Sequence, residues 1–161
     1  MAQVKLDQID HQILAKLQED GRMSNVDLAA SLGITPPPCL RRVKALEEAG
    51  YLQSYHAVVD EHRLGFDVHV FAMVGLHSQA EVDLQAFEAS CREWPIVREC
   101  HMLNGEIDFI LKCVAPDLST FQKFLTENLT SAPNVANVRT SMVIRKGKDE
   151  PGVPFEILNK D

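Results

Sequence analysis

At 161 residues and a net charge of −7, the chain is long enough for two small domains, each with its own core. No window is long and apolar enough to span a bilayer, and the N-terminal MAQVKLDQID lacks the apolar run of a signal peptide; a cytoplasmic protein without a membrane partner is expected. The four cysteines, Cys39, Cys91, Cys100 and Cys113, never form a close sequence pair, and the histidines make no HExxH motif, so no metal, cofactor, disulfide or catalytic residue is expected.

Asp7 to Glu19 (DQIDHQILAKLQE) predicts a first helix, with Leu6, Ile9, Ile13, Leu14 and Leu17 on its apolar face. Asp7 and Asp10 suit the positive end of its dipole. Ser24 with Asp27 opens a second, short helix whose stripe is Leu28, Ala29 and Leu32, and Gly33 provides the left-handed cap. Thr35 caps a third helix with Pro36 at its first position, where no intrahelical donor is lost. Leu40, Val43 and Leu46 or Glu47 give its apolar stripe, and Gly50 ends it. On a 3.6-residue wheel Thr35, Pro38, Arg41, Arg42 and Ala45 fall away from that stripe.

Two helices around a tight turn, with small and basic residues outward on the second, follow the helix-turn-helix plan. The second helix of such a motif must enter a major groove about 12 Å wide, which favours small residues in its first turn. An ordinary helical hairpin with a solvated basic face has the same pattern, and on these residues alone both readings stay open. The first 50 residues carry six Lys or Arg against seven Asp or Glu, and the remaining 111 carry ten against sixteen. The acidity therefore lies mostly outside the motif, where Arg41, Arg42 and Lys44 make a local positive patch. Non-specific DNA affinity should be modest, so two or more copies of the motif would act on one DNA molecule.

Tyr51 to Asp60 reads as a strand or extended linker, and Glu61 to Phe66 as a loop. From Asp67 to His77 the period becomes two: Val68, Val70, Ala72, Val74 and Leu76 face one way, His69, Phe71, Met73 and Gly75 the other. Both faces are largely apolar, so helices are expected to cover one and a second subunit the other. Gln79 to Trp94 is helical, with Val82, Leu84, Phe87 and Cys91 inward. Ile96 to Leu103 and Ile107 to Val114 are strands joined by a two-residue Asn104-Gly105 turn. Pro116 and Asp117 start a helix carrying Leu118, Phe121, Phe124, Leu125 and Leu129, and Val135 to Arg145 is the last strand. The order is β-α-β-β-α-β, the ferredoxin-like arrangement. Lys146 to Asp161 is charged, contains Pro and Gly, and is expected to be loosely attached.

Several stretches together resemble the Lrp/AsnC (feast/famine) family of transcriptional regulators. LDQIDHQILAKLQEDGRMSNVDLAASLGIT is similar to the family's opening, TPPPCLRRVKALEEAGYL to its recognition helix, and NGEIDFIL to its Gly-acidic-x-Asp effector motif. The resemblance extends to about Lys148. It implies an α+β protein: a winged-type helix-turn-helix DNA-binding domain (1–50), a linker strand and loop (51–66), a ferredoxin-like effector-binding and oligomerisation domain (67–146), and a C-terminal tail (147–161). It also implies a sequence-specific DNA-binding regulator that forms homodimers and larger even-numbered assemblies and responds to a small amino acid bound between subunits. DNA contact would fall to Ser24, Asn25, Thr35, Pro37, Pro38, Arg41, Arg42 and Lys44. The effector would meet Asn104, Gly105, Glu106, Ile107 and Asp108, with Thr140 and Ser141 from a neighbouring strand. Two stretches depart from the pattern: Glu106-Ile107-Asp108 stands where many members have Asp, an aromatic and Asp, and the basic run Arg145-Lys146-Gly147-Lys148 stands where the family is often acidic.

Two rival readings compete with an amino-acid-sensing regulator. One is an architectural DNA-associated protein with a vestigial pocket. The other is a small enzyme on the ferredoxin-like domain, using Glu106 with Asp108, or His101 with Glu99, as an acid/base pair. The fold itself licenses no chemistry.

Overall fold

The computed structural model describes residues 6–158, which form two compact units: residues 6–58 with 148–158, and residues 59–147. All four strands among the described residues belong to the second unit.

The first unit is built on three helices, α1 (Gln8–Glu19), α2 (Asn25–Ser31) and α3 (Pro36–Glu48). Asp7 caps α1 in a reciprocal box, accepting from the Asp10 N–H while Asp10 accepts from the Asp7 N–H. Ser24 caps α2 by accepting from the Asp27 N–H. Ile13, Leu14 and Leu17 pack with Leu28, Ala29, Cys39 and Leu46 as the buried core. On α3 the inward stripe is Cys39, Val43 and Leu46, not the expected stripe led by Leu40, which is 43% exposed. Spacings of four and three from Cys39 keep those side chains within about 60° on the wheel, whereas Leu40 is rotated about 100° away. Thr35 takes the cap position but makes no side-chain cap bond.

Residues 148–158 are not a loose tail. The Gln18 amide donates to the Val153 carbonyl (2.8 Å) and accepts from the Val153 N–H (2.9 Å), and Phe155 packs on the helical core. Gly152, at φ +73°, makes the approach: a Cβ there would lie 1.9 Å from Gln18 Oε1. The segment also holds a short 3-10 turn at Phe155–Ile157; charge and Pro/Gly content cannot show that one glutamine amide on α1 pairs with its backbone.

The second unit is a four-stranded antiparallel sheet in the order β2-β3-β1-β4, made by β1 (Val68–Leu76), β2 (Val97–Met102), β3 (Phe109–Ala115) and β4 (Val135–Met142). With α4 (Glu81–Glu93) and α5 (Leu118–Phe124), the chain order is the expected β-α-β-β-α-β. Val70, Ala72 and Val74 of β1 and Phe109, Leu111 and Cys113 of β3 are buried with Phe87 of α4 and Phe121 and Phe124 of α5. Trp94 packs edge-on against Phe87 and Phe124. Both helices thus lie on one face. On the other, Phe71 is exposed and Met73 and Ile110 only half-buried.

Some boundaries and side-chain directions differ from those the sequence suggests. Residues 51–59 contain no strand; they bend at 51–52 and are almost wholly exposed. Val82 is exposed because the inward side of α4 is Leu84, Phe87 and Cys91. Leu118 is exposed at the start of α5, which continues into a wider π-type turn at Leu125–Leu129 that still buries Leu129. The β2–β3 connection is the six-residue segment 103–108, closed by the Leu103 N–H donating to the Asp108 carbonyl (2.8 Å). Neither Asn104 nor Gly105 has the positive φ that a tight two-residue hairpin requires.

Candidate nucleic-acid interface and ligand loop

The corner between α2 and α3 is fixed by Asn25, whose side-chain amide donates to the Pro36 carbonyl at 2.9 Å. Asn25 is therefore partly spent on positioning α3, and Ser24 on capping α2. Beyond them α3 begins with three prolines, so its first turn offers no N–H from Pro36, Pro37 or Pro38. The ordinary anion-binding property of a helix N-terminus is accordingly weakened here. What remains outward is the Thr35 hydroxyl, an apolar proline surface, and the exposed Arg41 and Lys44 further along.

Arg42 differs from its neighbour. Its guanidinium Nη1 bonds Asp7 Oδ2 at 2.8 Å and Asp10 Oδ1 at 2.7 Å, the two carboxylates that cap α1. On the wheel Arg42 lies about 60° from Cys39, at the flank of the buried stripe, whereas Arg41 lies nearly opposite it. The expectation that both arginines are outward holds for Arg41 only; Arg42 ties α3 to α1. The Asp10 backbone N–H chiefly, then the guanidinium, holds the Asp7 carboxyl below its ordinary value of 3.8, and the same pairing raises Arg42.

In the second unit the segment 104–108 is anchored by Asp108, the one buried charged side chain among the described residues, at 9% exposure. Its Oδ2 accepts from the Leu76 N–H at 2.6 Å, its Oδ1 from the Gln79 amide at 2.7 Å, and its own N–H donates to the Val74 carbonyl at 3.0 Å. Asp108 is thus a staple between the end of β1, the approach to α4 and the start of β3. Asn104, Gly105 and Glu106 are exposed, and Ile107 half-buried. A Cβ on Gly105 would meet nothing within 4 Å, and its φ is not in the left-handed region. Neither backbone nor packing demands a glycine there.

Within one chain Thr140 and Ser141 are not beside this loop. They stand opposite Ala72 and Phe71, roughly 7–10 Å along β1 from Val74 and one strand across from β3. The acid/base pairs of the enzyme reading fare similarly. Asp108 has both oxygens engaged by the protein while Glu106 lies in solvent, so the two share no site. His101 and Glu99 do meet at 3.2 Å, but on the outer sheet face, where Lys112 holds Glu99 at 2.7 Å and, as the main cause, lowers its pKa. The staple roles of Arg42 and Asp108 were missed by sequence reasoning; only the acidic pair Asp7/Asp10, one cation short of balanced at that helix start, hinted at the first.

Comparisons with known proteins agree with this arrangement. Residues 6–53 match the family described as winged helix-turn-helix DNA-binding, and residues 69–153 the Lrp/AsnC ligand binding domain. The chain is 50% identical over 149 residues to the leucine-responsive regulatory protein of Rhizobium meliloti, covering 92% of this chain and 96% of that one. It is 38% identical over 143 residues to the Escherichia coli K12 protein of the same name, covering 89% and 87%. Among solved structures, a transcriptional regulator from Neisseria meningitidis in complex with L-methionine superposes with a TM-score of 0.90 at 34% identity, covering 96% of this chain and 99% of that one.

Two outcomes are expected from these contacts. Asp108→Ala leaves the Leu76 N–H without its acceptor and should cost about 2–3 kcal/mol in urea unfolding of the full chain. Arg42→Ala should lower the melting temperature near neutrality. Because the Asp7 pKa is depressed in the folded state, that contribution is complete above 3.8 and is lost as pH falls through the depressed value. The gap in melting temperature between wild type and Arg42→Ala should therefore narrow in acid, read by thermal melts across a pH series.

Proposed function

The chain belongs to the Lrp/AsnC family of DNA-binding transcriptional regulators, and from that premise we propose how its own residues divide the work. α3 is the reading helix. Thr35 and the proline surface of its first turn enter the major groove, where an apolar face suits thymine methyl groups. Arg41 and Lys44 supply the cations for phosphates or guanine edges. Arg42, spent on Asp7 and Asp10, positions the helix instead of reading DNA. With so few free cations in the motif, affinity comes from pairing two copies on one duplex. The sheet face opposite the helices, with Phe71 exposed and Met73 and Ile110 half-buried, supports a homodimer through the second unit.

The loop 104–108 takes a free amino acid as effector. The observation that carries this reading is the open space over Gly105, a glycine that neither φ nor crowding requires. Exposed backbone at Gly105 offers donors for a carboxylate, and the unpaired position of Glu106 in solvent offers an anion for an ammonium group. Asp108 holds the loop in shape rather than meeting the ligand. The relative whose structure contains L-methionine supports an amino acid as the ligand class. Thr140 and Ser141 reach such a site only from the other subunit of a dimer.

One set of binding measurements tests the DNA assignment. On a bound genomic fragment, Arg41→Ala should cost about 1–3 kcal/mol if the side chain reads a base, or weaken all sequences alike with a shallower salt slope if it meets phosphate. Arg42→Ala should leave the salt slope unchanged. Sedimentation of the same samples should give a dimer or larger, and an equal DNA loss for Arg41→Ala and Arg42→Ala would overturn the division.

The ligand assignment is read from melting temperature with the twenty amino acids at millimolar concentration. At least one should raise it in the wild type, and Gly105→Val and Glu106→Gln should abolish the rise with little change in effector-free stability. No shift with any amino acid would leave the architectural reading in its place.

A further inference from the structure

Three of the four cysteines are drawn together by the second unit although sequence keeps them apart. Cys91 lies on the inward side of the last turn of α4 and Cys100 on β2, opposite Leu111. Both line one cavity of about 400 Å³ with Glu88, Arg92 and Arg98. Both belong to one packed core, Cys91 buried in it and Cys100 packed against it. They differ in exposure: Cys91 is buried, Cys100 half-buried at the cavity wall. Cys113, also buried, stands opposite Val97 in the ladder and does not line the cavity.

We propose that Cys91 and Cys100 form a peroxide-oxidised dithiol, a reversible modification site on the α4–β2 corner. Cys100 is the attacked thiol, because it is the one that a small oxidant can reach through the cavity. Its sulfur attacks one oxygen of hydrogen peroxide, the O–O bond breaks, and Cys100 sulfenic acid and water form. The Cys91 sulfur then attacks the sulfenic sulfur, the S–O bond breaks, and a second water leaves with the disulfide. Two electrons pass from the two thiols to one peroxide, and both thiol protons end in water.

The local electrostatics favour this order. The Cys91 hydrogen bond lowers Cys100 against burial and the Glu88 carboxylate, which both oppose it, and Cys91 is raised in turn. Burial raises Cys39 and pushes Cys113 up to about 12. A thiolate is the nucleophile, so Cys100 is the favoured site on both access and charge. The link spans eight residues, 92–99, and contains Trp94, the only tryptophan of the chain. Its ring packs between Phe87 and Phe124, so closing the disulfide should register in its fluorescence.

The test uses the full-length protein treated with hydrogen peroxide. Free thiols should fall from the four of the sequence by one pair, peptide mass should show Cys91 joined to Cys100, and dithiothreitol should restore both. Cys39 and Cys113 should react on the order of tenfold more slowly or less. In Cys91→Ser, dimedone should trap a sulfenic acid at Cys100; in Cys100→Ser, the remaining thiols should stay reduced under the same treatment. Oxidation of Cys100 no faster than Cys39, or a link from Cys91 to Cys113 instead, would overturn the assignment. So would Cys100 passing to sulfinic acid in the wild type without a Cys91 link.

Discussion

The Asp108 carboxylate is where three parts of the second unit meet: the end of β1, the approach to α4, and the loop that leads into β3. A buried carboxylate is costly unless its oxygens are satisfied, and here two short bonds, from Leu76 N–H and the Gln79 amide, satisfy them. The loop 103–108 is closed on itself by the Leu103 N–H donating to the Asp108 carbonyl, and held to β1 by the Asp108 side chain and by the Asp108 N–H donating to the Val74 carbonyl. With the loop pinned at its end, the residues before it, Asn104 to Glu106, can stay exposed without fraying the sheet.

A similar economy operates in the first unit, where the charges that cap one helix also orient another. Asp7 and Asp10 complement the positive end of α1 and at the same time hold the Arg42 guanidinium. One of the three cations of the motif is therefore engaged in tying α3 to α1. Asn25 does the same from the other side, through the Pro36 carbonyl. The proline-led α3 has few donors to offer a phosphate at its start.

The remaining apolar surface follows from counting layers. Two helices cover one face of a four-stranded sheet and cannot reach the other, so Phe71 is left exposed beside the half-buried Met73 and Ile110. Such an apolar patch is the kind of surface that a second protein surface covers. The same helix layer brings Cys91 over Cys100, so packing that serves the fold also creates a thiol pair.

Much was legible from sequence because the signals were local or periodic. Ser24 caps the helix it was expected to cap, alternation along β1 placed Val70, Ala72 and Val74 inward, and the β-α-β-β-α-β order was readable from the change of period. The helix-turn-helix and the ligand-binding domain were recognisable from short runs such as PPPCLRRVKALEE and NGEIDFIL. What sequence could not determine was which partner a polar side chain takes across the fold. Arg42 and Asp108 looked like free ligands because a wheel or a strand shows direction and says nothing of a carboxylate or N–H arriving from elsewhere in the chain. Leu40 lost its place to Cys39 by a rotation of about one residue, a difference that only the packing of α1 and α2 decides. The Gln18–Val153 pairing and the meeting of Cys91 with Cys100 join residues far apart in the chain or on different elements, and such contacts exist only once the helices have docked.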